Sequence, residues 1–253
     1  MQVRILGSAA GGGFPQWNCG CENCARVRSG DSALQARDQS SIAVSPDGRS
    51  WVLINASPDI RHQLNGFPGI RSDTGPRETA LAGVVLGDSQ IDHSAGLLIL
   101  RESSRPLSLY TTDRVYADLT GGFPVIPMLR HYCGVNRHRV PVNGKGFEVE
   151  AAPGLDFTAV PLESKAPPYS PAREAPGEGD NIGLLIEDRR TGKRLFYAPG
   201  LGRFEPHLER PMASADCLLV DGTAWTDEEM ERAGPEAGER HGAPAAVGAG
   251  RYD

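Results

Sequence analysis

The sequence predicts an α/β fold, and three features carry that expectation. Ten short apolar runs read as strands, in a first group at 2–6, 41–45, 51–55, 83–87 and 107–111 and a second at 147–150, 156–160, 182–187, 194–198 and 217–221. Helical stretches stand between several of them, and 31 glycines and 20 prolines cut the chain into short elements with many turns. A length of 253 residues with 39% hydrophobic content supports one large domain with its own core.

Each element has a local reason. Residues 2–6 read as a short buried strand stopped by Gly7, and a glycine-rich loop follows, fitting neither of the common phosphate-binding motifs. Residues 25–38 are polar, charged and helical in character. The strands 41–45 and 51–55 flank Asp47-Gly48, a hairpin turn signal. Ile60 to Leu64 opens a helix after Asp59, an acid favoured at a helix N-terminus, and His62 reads more readily as a surface group than as a ligand. The stretch 80–102 organises the chain. Val84, Val85 and Leu86 form a buried strand ending at Gly87, and an apolar helical pattern follows at Leu97, Leu98 and Leu100. Beyond the strand 107–111, residues 113–138 read as helix and loop. A proline-rich loop at 166–179 is long enough to be a lid or substrate loop. The runs 182–187 and 194–198 form a second hairpin, and 217–221 is a buried strand, with Cys133 and Cys217 in or near the core.

Two groups of residues carry chemistry. The turn after Gly87 places Asp88, Gln90, Asp92 and His93 within six residues at a strand's C-terminal end, where α/β proteins hold their sites. Asp88 or Ser89 capping the helix, with Asp92 orienting His93, is the plainer reading; the density of ligand-type side chains favours a divalent metal. Cys19, Cys21 and Cys24 stand at Cys-x-Cys-x-x-Cys spacing, which lets three sulfurs converge on one zinc ion; small buried thiols or a redox pair are the alternatives.

A formal charge of −6 gives no electrostatic case for nucleic acid or an anionic membrane. No apolar run is long enough to span a bilayer, and Met1 to Gly7 lacks the apolar centre of a signal peptide, so the expected location is cytoplasmic, with reduced thiols.

The polar turn ending in Asp92-His93, then a helix, resembles the metal-binding turn of the metallo-β-lactamase superfamily, His-x-His-x-Asp-His, with Asp88 and Gln90 standing where that pattern has histidines. Asp-Ser-Gln-Ile-Asp-His, the loop Pro167-Pro168-Tyr169-Ser170-Pro171 and Val220-Asp221-Gly222-Thr223 together resemble the pyrroloquinoline quinone (PQQ) biosynthesis protein B family. Ala172 departs from that family's loop, which has histidine there, and Pro199-Gly200-Leu201 departs from the bridging aspartate of two-metal relatives.

The resemblance implies an αββα sandwich of two mixed β-sheets flanked by helices, which suits the count and order of strands. It covers residues 1–232; 233–253 reads as a disordered tail outside the family pattern, as if the usual ending had been truncated or replaced. A missing final segment would have covered a sheet edge and supplied a histidine, for which His241 is a poor substitute. By its order along the chain, Glu163 takes the place of a metal-binding histidine, so Asp88, Asp92, His93 and Glu163 are the implied central ligands, with Gln90 or Asp221 positioning substrate. Mixed histidine and carboxylate donors suit non-haem iron. The implied activity is iron-dependent hydroxylation of the tyrosine of the PQQ precursor peptide or a later intermediate, alongside other PQQ biosynthesis proteins. A non-catalytic carrier of PQQ or its precursor towards the periplasm is the alternative, and a metal-dependent hydrolase the third. The sequence leaves a homodimer open.

Overall fold

The computed structural model describes residues 1–71, 75 and 77–221. The expected tail at 233–253 and the Gly222-Thr223 turn lie outside them. Two β-sheets pack face to face. The first contains β1 (Gln2–Gly7), β2 (Ser41–Ser45), β3 (Trp51–Ile54), β4 (Leu81–Val85), β5 (Leu107–Thr111) and β6 (Val135–Arg139), in chain order across the sheet. β1, β2 and β3 pair antiparallel, and β3 to β6 pair parallel. The second runs β11 (Cys217–Val220), β10 (Arg194–Ala198), β9 (Ile182–Asp188), β8 (Leu155–Pro161), β7 (Gly146–Phe147). Its pairs are antiparallel except β10 with β11. Both sheets are mixed, as expected.

Alternation builds the layers. In β4, Val85 faces the second sheet and joins Ile42, Val44, Val52 and Ile54 against Leu155, Phe157, Leu184, Ile186 and Leu195. Its neighbours Val84 and Leu86 face outward with Leu53 and Leu109. There they meet Val115 and Leu119 of α4 (Asp113–Thr120) and Val125, Ile126 and Leu129 of α5 (Val125–Leu129). On the far side, Phe196 and Ala198 of β10 pack on Leu208 of α6 (Pro206–Ala213). The order helix, sheet, sheet, helix follows directly from strands that are apolar on both faces.

Five expectations change. The strand expected at 147–150 shrinks to the two-residue β7, and residues 148–150 lie outside any strand. The polar run Val135–Arg139, read as loop, is an edge strand: it needs only one apolar-tolerant neighbour, and Arg137 lays its guanidinium 4.1 Å from the Tyr116 ring centre. β1 and β11, read as buried, are largely exposed, each lying at a sheet edge among the described residues, and Cys217 is exposed with β11. The helix α1 (Glu22–Arg28) stops well short of residue 38. The continuous helix expected after the organising turn is instead α3 (Ile91–Ser94) followed by 3₁₀ turns at Ala95–Leu98 and Leu100–Glu102. Gly96 explains the break. Its amide donates to the Ala56 carbonyl at 2.8 Å, and a Cβ there would overlap the Ser57 carbonyl oxygen, so the backbone is drawn against the end of β3.

The two sheets are stitched where the site lies. Ile182, opening β9, donates its amide to the Gly87 carbonyl at 2.8 Å, and Asp88 forms an antiparallel bridge with Asn181. The turn after β4 is thereby held at the mouth between the sheets. Among the described residues, no helix is long and apolar enough to cross a membrane.

Candidate metal centre

The turn from Asp88 to His93 closes on itself. His93 is 5% exposed and Asp88 3%. The His93 Nδ1 lies 2.9 and 2.8 Å from the two Asp88 carboxylate oxygens, and the Gln90 amide donates to Asp88 Oδ1 at 2.9 Å. Asp88 therefore fixes the ring, which turns its other nitrogen, Nε2, towards Asp92 Oδ2 at 3.9 Å. Burial alone would lower the basicity of His93; the Asp88 charge and its hydrogen bond outweigh burial and, with Asp92 and Asp221, push its pKa up to about 9. A positive charge at this point is thus strongly favoured by its surroundings.

The fit to a divalent ion can be judged from the donor set. Nε2 of His93 and a carboxylate oxygen of Asp92 face each other across a gap that an ion could close by a small contraction, and imidazole with carboxylate is a donor pair that iron accepts. Asp88 is placed as the orienting partner of the histidine, a role that metal-binding histidines commonly require. Asp221, exposed at the end of β11, acts on His93 through space, and its amide donates to the Ala198 carbonyl at 3.1 Å.

Other predicted residues are placed differently. The Glu163 side chain is 58% exposed and sits 3.8 Å from Arg203, the salt-bridged alternative to a ligand role. Gln90 donates from Nε2 to the Lys165 carbonyl at 3.1 Å, so it ties the turn to the chain beyond Glu163. Asp59 accepts from the amide and side-chain nitrogen of Gln39, and His62 pairs with Asp38 at 2.6 Å on the surface. None of these four side chains hydrogen-bonds or ion-pairs with His93 among the described residues.

Sequence reasoning missed several neighbours. The glycine-rich loop borders the site: a Cβ on Gly11 would stand 3.1 Å from Asp92 Oδ2. Gly200, within the Pro-Gly-Leu departure, also borders it: a Cβ there would stand in ordinary contact with Asp88 Oδ2 at 3.5 Å. Asn55, at the end of β3, holds a positive φ of 61° and accepts the Gly87 amide on Oδ1 at 2.9 Å. Its buried Nδ2 has no hydrogen-bond partner among the described residues. The Tyr197 hydroxyl lies 3.0 Å from Ser40 Oγ, and burial together with the nearby Asp88 and Asp92 raises its pKa. In the sequence, Asn55 and Tyr197 look like a strand end and a core aromatic; nothing in their spacing marks them.

The cysteine cluster forms as expected. Among the described residues, Cys19, Cys21 and Cys24 are the one group of three potential ligands whose donor atoms all lie within 4.8 Å of one another. Cys21 precedes α1, and Cys24 lies within it. Sulfurs about 2.3 Å from zinc stand roughly 3.8 Å apart in a tetrahedron, so the cluster fits that ion after slight contraction. Hydrogen bonding from the Cys24 amide holds the Cys21 thiol below its ordinary pKa, whereas burial pushes the Cys24 thiol up to about 11. Arg28 donates to the Cys19 carbonyl at 2.6 Å and to that of Gln16, bracing the loop.

Comparison with known proteins agrees with this architecture. Residues 50–250 match the family model described as a β-lactamase superfamily domain. The chain is 56% identical over 234 residues to coenzyme PQQ synthesis protein B of Methylococcus capsulatus, covering 92% of this chain and 77% of that protein. It is 57% identical over 235 residues to the protein of the same name from Pseudomonas syringae pv. tomato, with the same coverage. The crystal structure of Zn(2+)-bound PqqB from Methylobacterium extorquens superimposes with a TM-score of 0.82 at 42% identity, over 92% of this chain and 77% of that one. A diphosphatase of the PhnP family, at 21% identity and a TM-score of 0.61, shares the fold. With sequence identity and topology in agreement, the chain belongs to the coenzyme PQQ synthesis protein B family within the metallo-β-lactamase superfamily.

Proposed function

We propose that this chain acts in the biosynthesis of coenzyme PQQ as an iron-dependent hydroxylase of the tyrosine in the precursor peptide or a late intermediate, working in the cytoplasm with the other proteins of that pathway. The observation that carries the reading is the oriented His93: Asp88 holds Nδ1 at 2.8 Å and leaves Nε2 facing Asp92. His93 Nε2 and Asp92, with Asp221 nearby, would hold the ion. Iron bound there would supply activation of dioxygen. Asp88 would keep the imidazole in the ligand-competent tautomer, and its acidic surroundings would favour a cation over a neutral site. Gln90 is committed to the Lys165 carbonyl, so its part is to fix the loop that borders the substrate. Zinc held by Cys19, Cys21 and Cys24 would have a structural role, anchoring the loop that leads into α1.

The exposed, Arg203-paired Glu163 favours a second reading, because it thins the ligand set: a non-catalytic carrier of PQQ or its precursor towards the periplasm. Hydrolysis is disfavoured by Asp88 and Gln90 at positions where two-metal relatives have histidines. One experiment separates the first two readings. The chain is reconstituted with ferrous iron without oxygen, then given oxygen, reductant and a tyrosine-containing precursor peptide. A product gaining one oxygen atom, absent in His93→Ala, supports the hydroxylase; unchanged peptide with tight binding of PQQ supports the carrier.

A further inference from the structure

A buried carboxylate outside the proposed ligand set reaches the metal-binding turn from behind. Asp118, on α4, is 3% exposed. Its Oδ2 accepts from Ser89 Oγ and its Oδ1 from Ser170 Oγ, each at 2.6 Å, and it forms no salt bridge among the described residues. Ser89 is the residue between Asp88 and Gln90. Its carbonyl is gripped in turn by the Tyr169 hydroxyl and by Ser94 Oγ at 3.1 Å. Tyr169 and Ser170 belong to the proline-rich loop. That loop is held from the turn after α4 as well: the Tyr169 ring packs against Phe123 at 5.8 Å between centres, and a Cβ on Gly122 would overlap the Tyr169 carbonyl oxygen.

A carboxylate kept from water without a cation is costly unless its oxygens are satisfied, and two short charge-assisted bonds satisfy them here. Such an arrangement persists only if it fixes something. From this geometry we infer that Asp118 is a positioning residue: it joins the 166–173 loop to Ser89, so that the loop and the Asp88–His93 turn form one rigid unit and Asp88 meets the imidazole at the right angle. The proline-rich segment is then a fixed wall of the site, latched through Ser170 and Tyr169. The role towards the ion rests on the metal-centre reading above; the mechanical coupling does not.

The test uses the full chain with zinc left in the cysteine cluster. Hydrogen exchange is followed, before any metal is added to the central site, in wild type, Asp118→Asn, Ser170→Ala and Tyr169→Phe, and cobalt(II) is then titrated in, its visible absorption reporting the central site, with His93→Ala as the blank. Asp118→Asn removes the anion at nearly constant shape, while the other two variants each delete a single donor and remain informative should Asp118→Asn fail to fold. The expected result is faster exchange in residues 89–94 and 166–173 together, with cobalt affinity lowered about tenfold to a hundredfold. Faster exchange confined to the loop, with cobalt binding at the wild-type level, would overturn the assignment. Wild type without a cobalt signal at His93 would overturn the metal-centre reading itself, a result distinct from variants that bind cobalt as wild type does.

Discussion

Replacing Asp88 by asparagine isolates the interaction on which the site is built. Both carboxylate oxygens lie within 2.9 Å of His93 Nδ1, and Oδ1 also takes the Gln90 amide. Asparagine keeps the shape and one acceptor. It removes the charge and turns an NH₂ group towards a ring nitrogen that should donate. A hydrogen bond to a charged group contributes about 1.5–3 kcal/mol, and the partner left behind is buried. At about 1.4 kcal/mol per factor of ten, that loss weakens ion binding at Nε2 by roughly tenfold to a hundredfold. The same change withdraws the main opposition to burial, so the His93 pKa falls from about 9 to its ordinary value of 6.5 or below. Proton NMR of the imidazole against pH gives the second quantity, and cobalt titration the first. An Asp88→Asn chain in which His93 still titrates near 9, or binds cobalt as wild type does, would refute the orienting role.

Other consequences follow from the same contacts. In the metal-free chain, the raised His93 pKa contributes stability that is complete below the unfolded value of 6.5 and is lost as pH rises through about 9; urea midpoints measured from pH 6 to 9 should fall further in wild type than in His93→Ala. Asp188 runs the other way: the Met1 ammonium holds its carboxyl down to about 2, so its contribution is present above pH 3.8 and lost as pH falls through 2, and Asp188→Asn should cost stability at pH 6 but little at pH 2. Gly96→Ala should destabilise the fold by about 1–3 kcal/mol, because the added carbon meets backbone carbonyls at the end of β3; a lower urea midpoint with unchanged slope would show it, and a wild-type midpoint would refute the steric argument.

How far the chain could be read in advance depended on what fixes each feature. The central strands were legible because residues such as Val84, Val85 and Leu86 are apolar on both faces, and only a doubly covered strand uses such a run. Edge position is a property of the assembled sheet. The apolar Val3, Ile5, Leu218 and Val220 therefore looked buried although they are exposed, and the polar β6 looked like a loop. In the site, short-range spacing carried the information: Asp88, Asp92 and His93 are neighbours in sequence and remain so in space, as do the three cysteines. Glu163 lies about seventy residues away, and its order along the chain said nothing about which way its side chain would turn. Asn55, Asp118 and Tyr197 were hidden for a related reason: each reaches the site through contacts more than twenty-five residues distant, set by sheet stacking and by α4 rather than by any local motif.

The central claim is that one chain offers two separate ion sites, the sulfur cluster and the oriented histidine. Metal content by mass spectrometry, after loading with zinc and then ferrous iron without oxygen, tests it most directly. The account predicts one zinc and one iron per chain, with Cys24→Ser losing the zinc alone and His93→Ala losing the iron alone. Iron retained in full by His93→Ala, or one metal lost with either substitution, would contradict it.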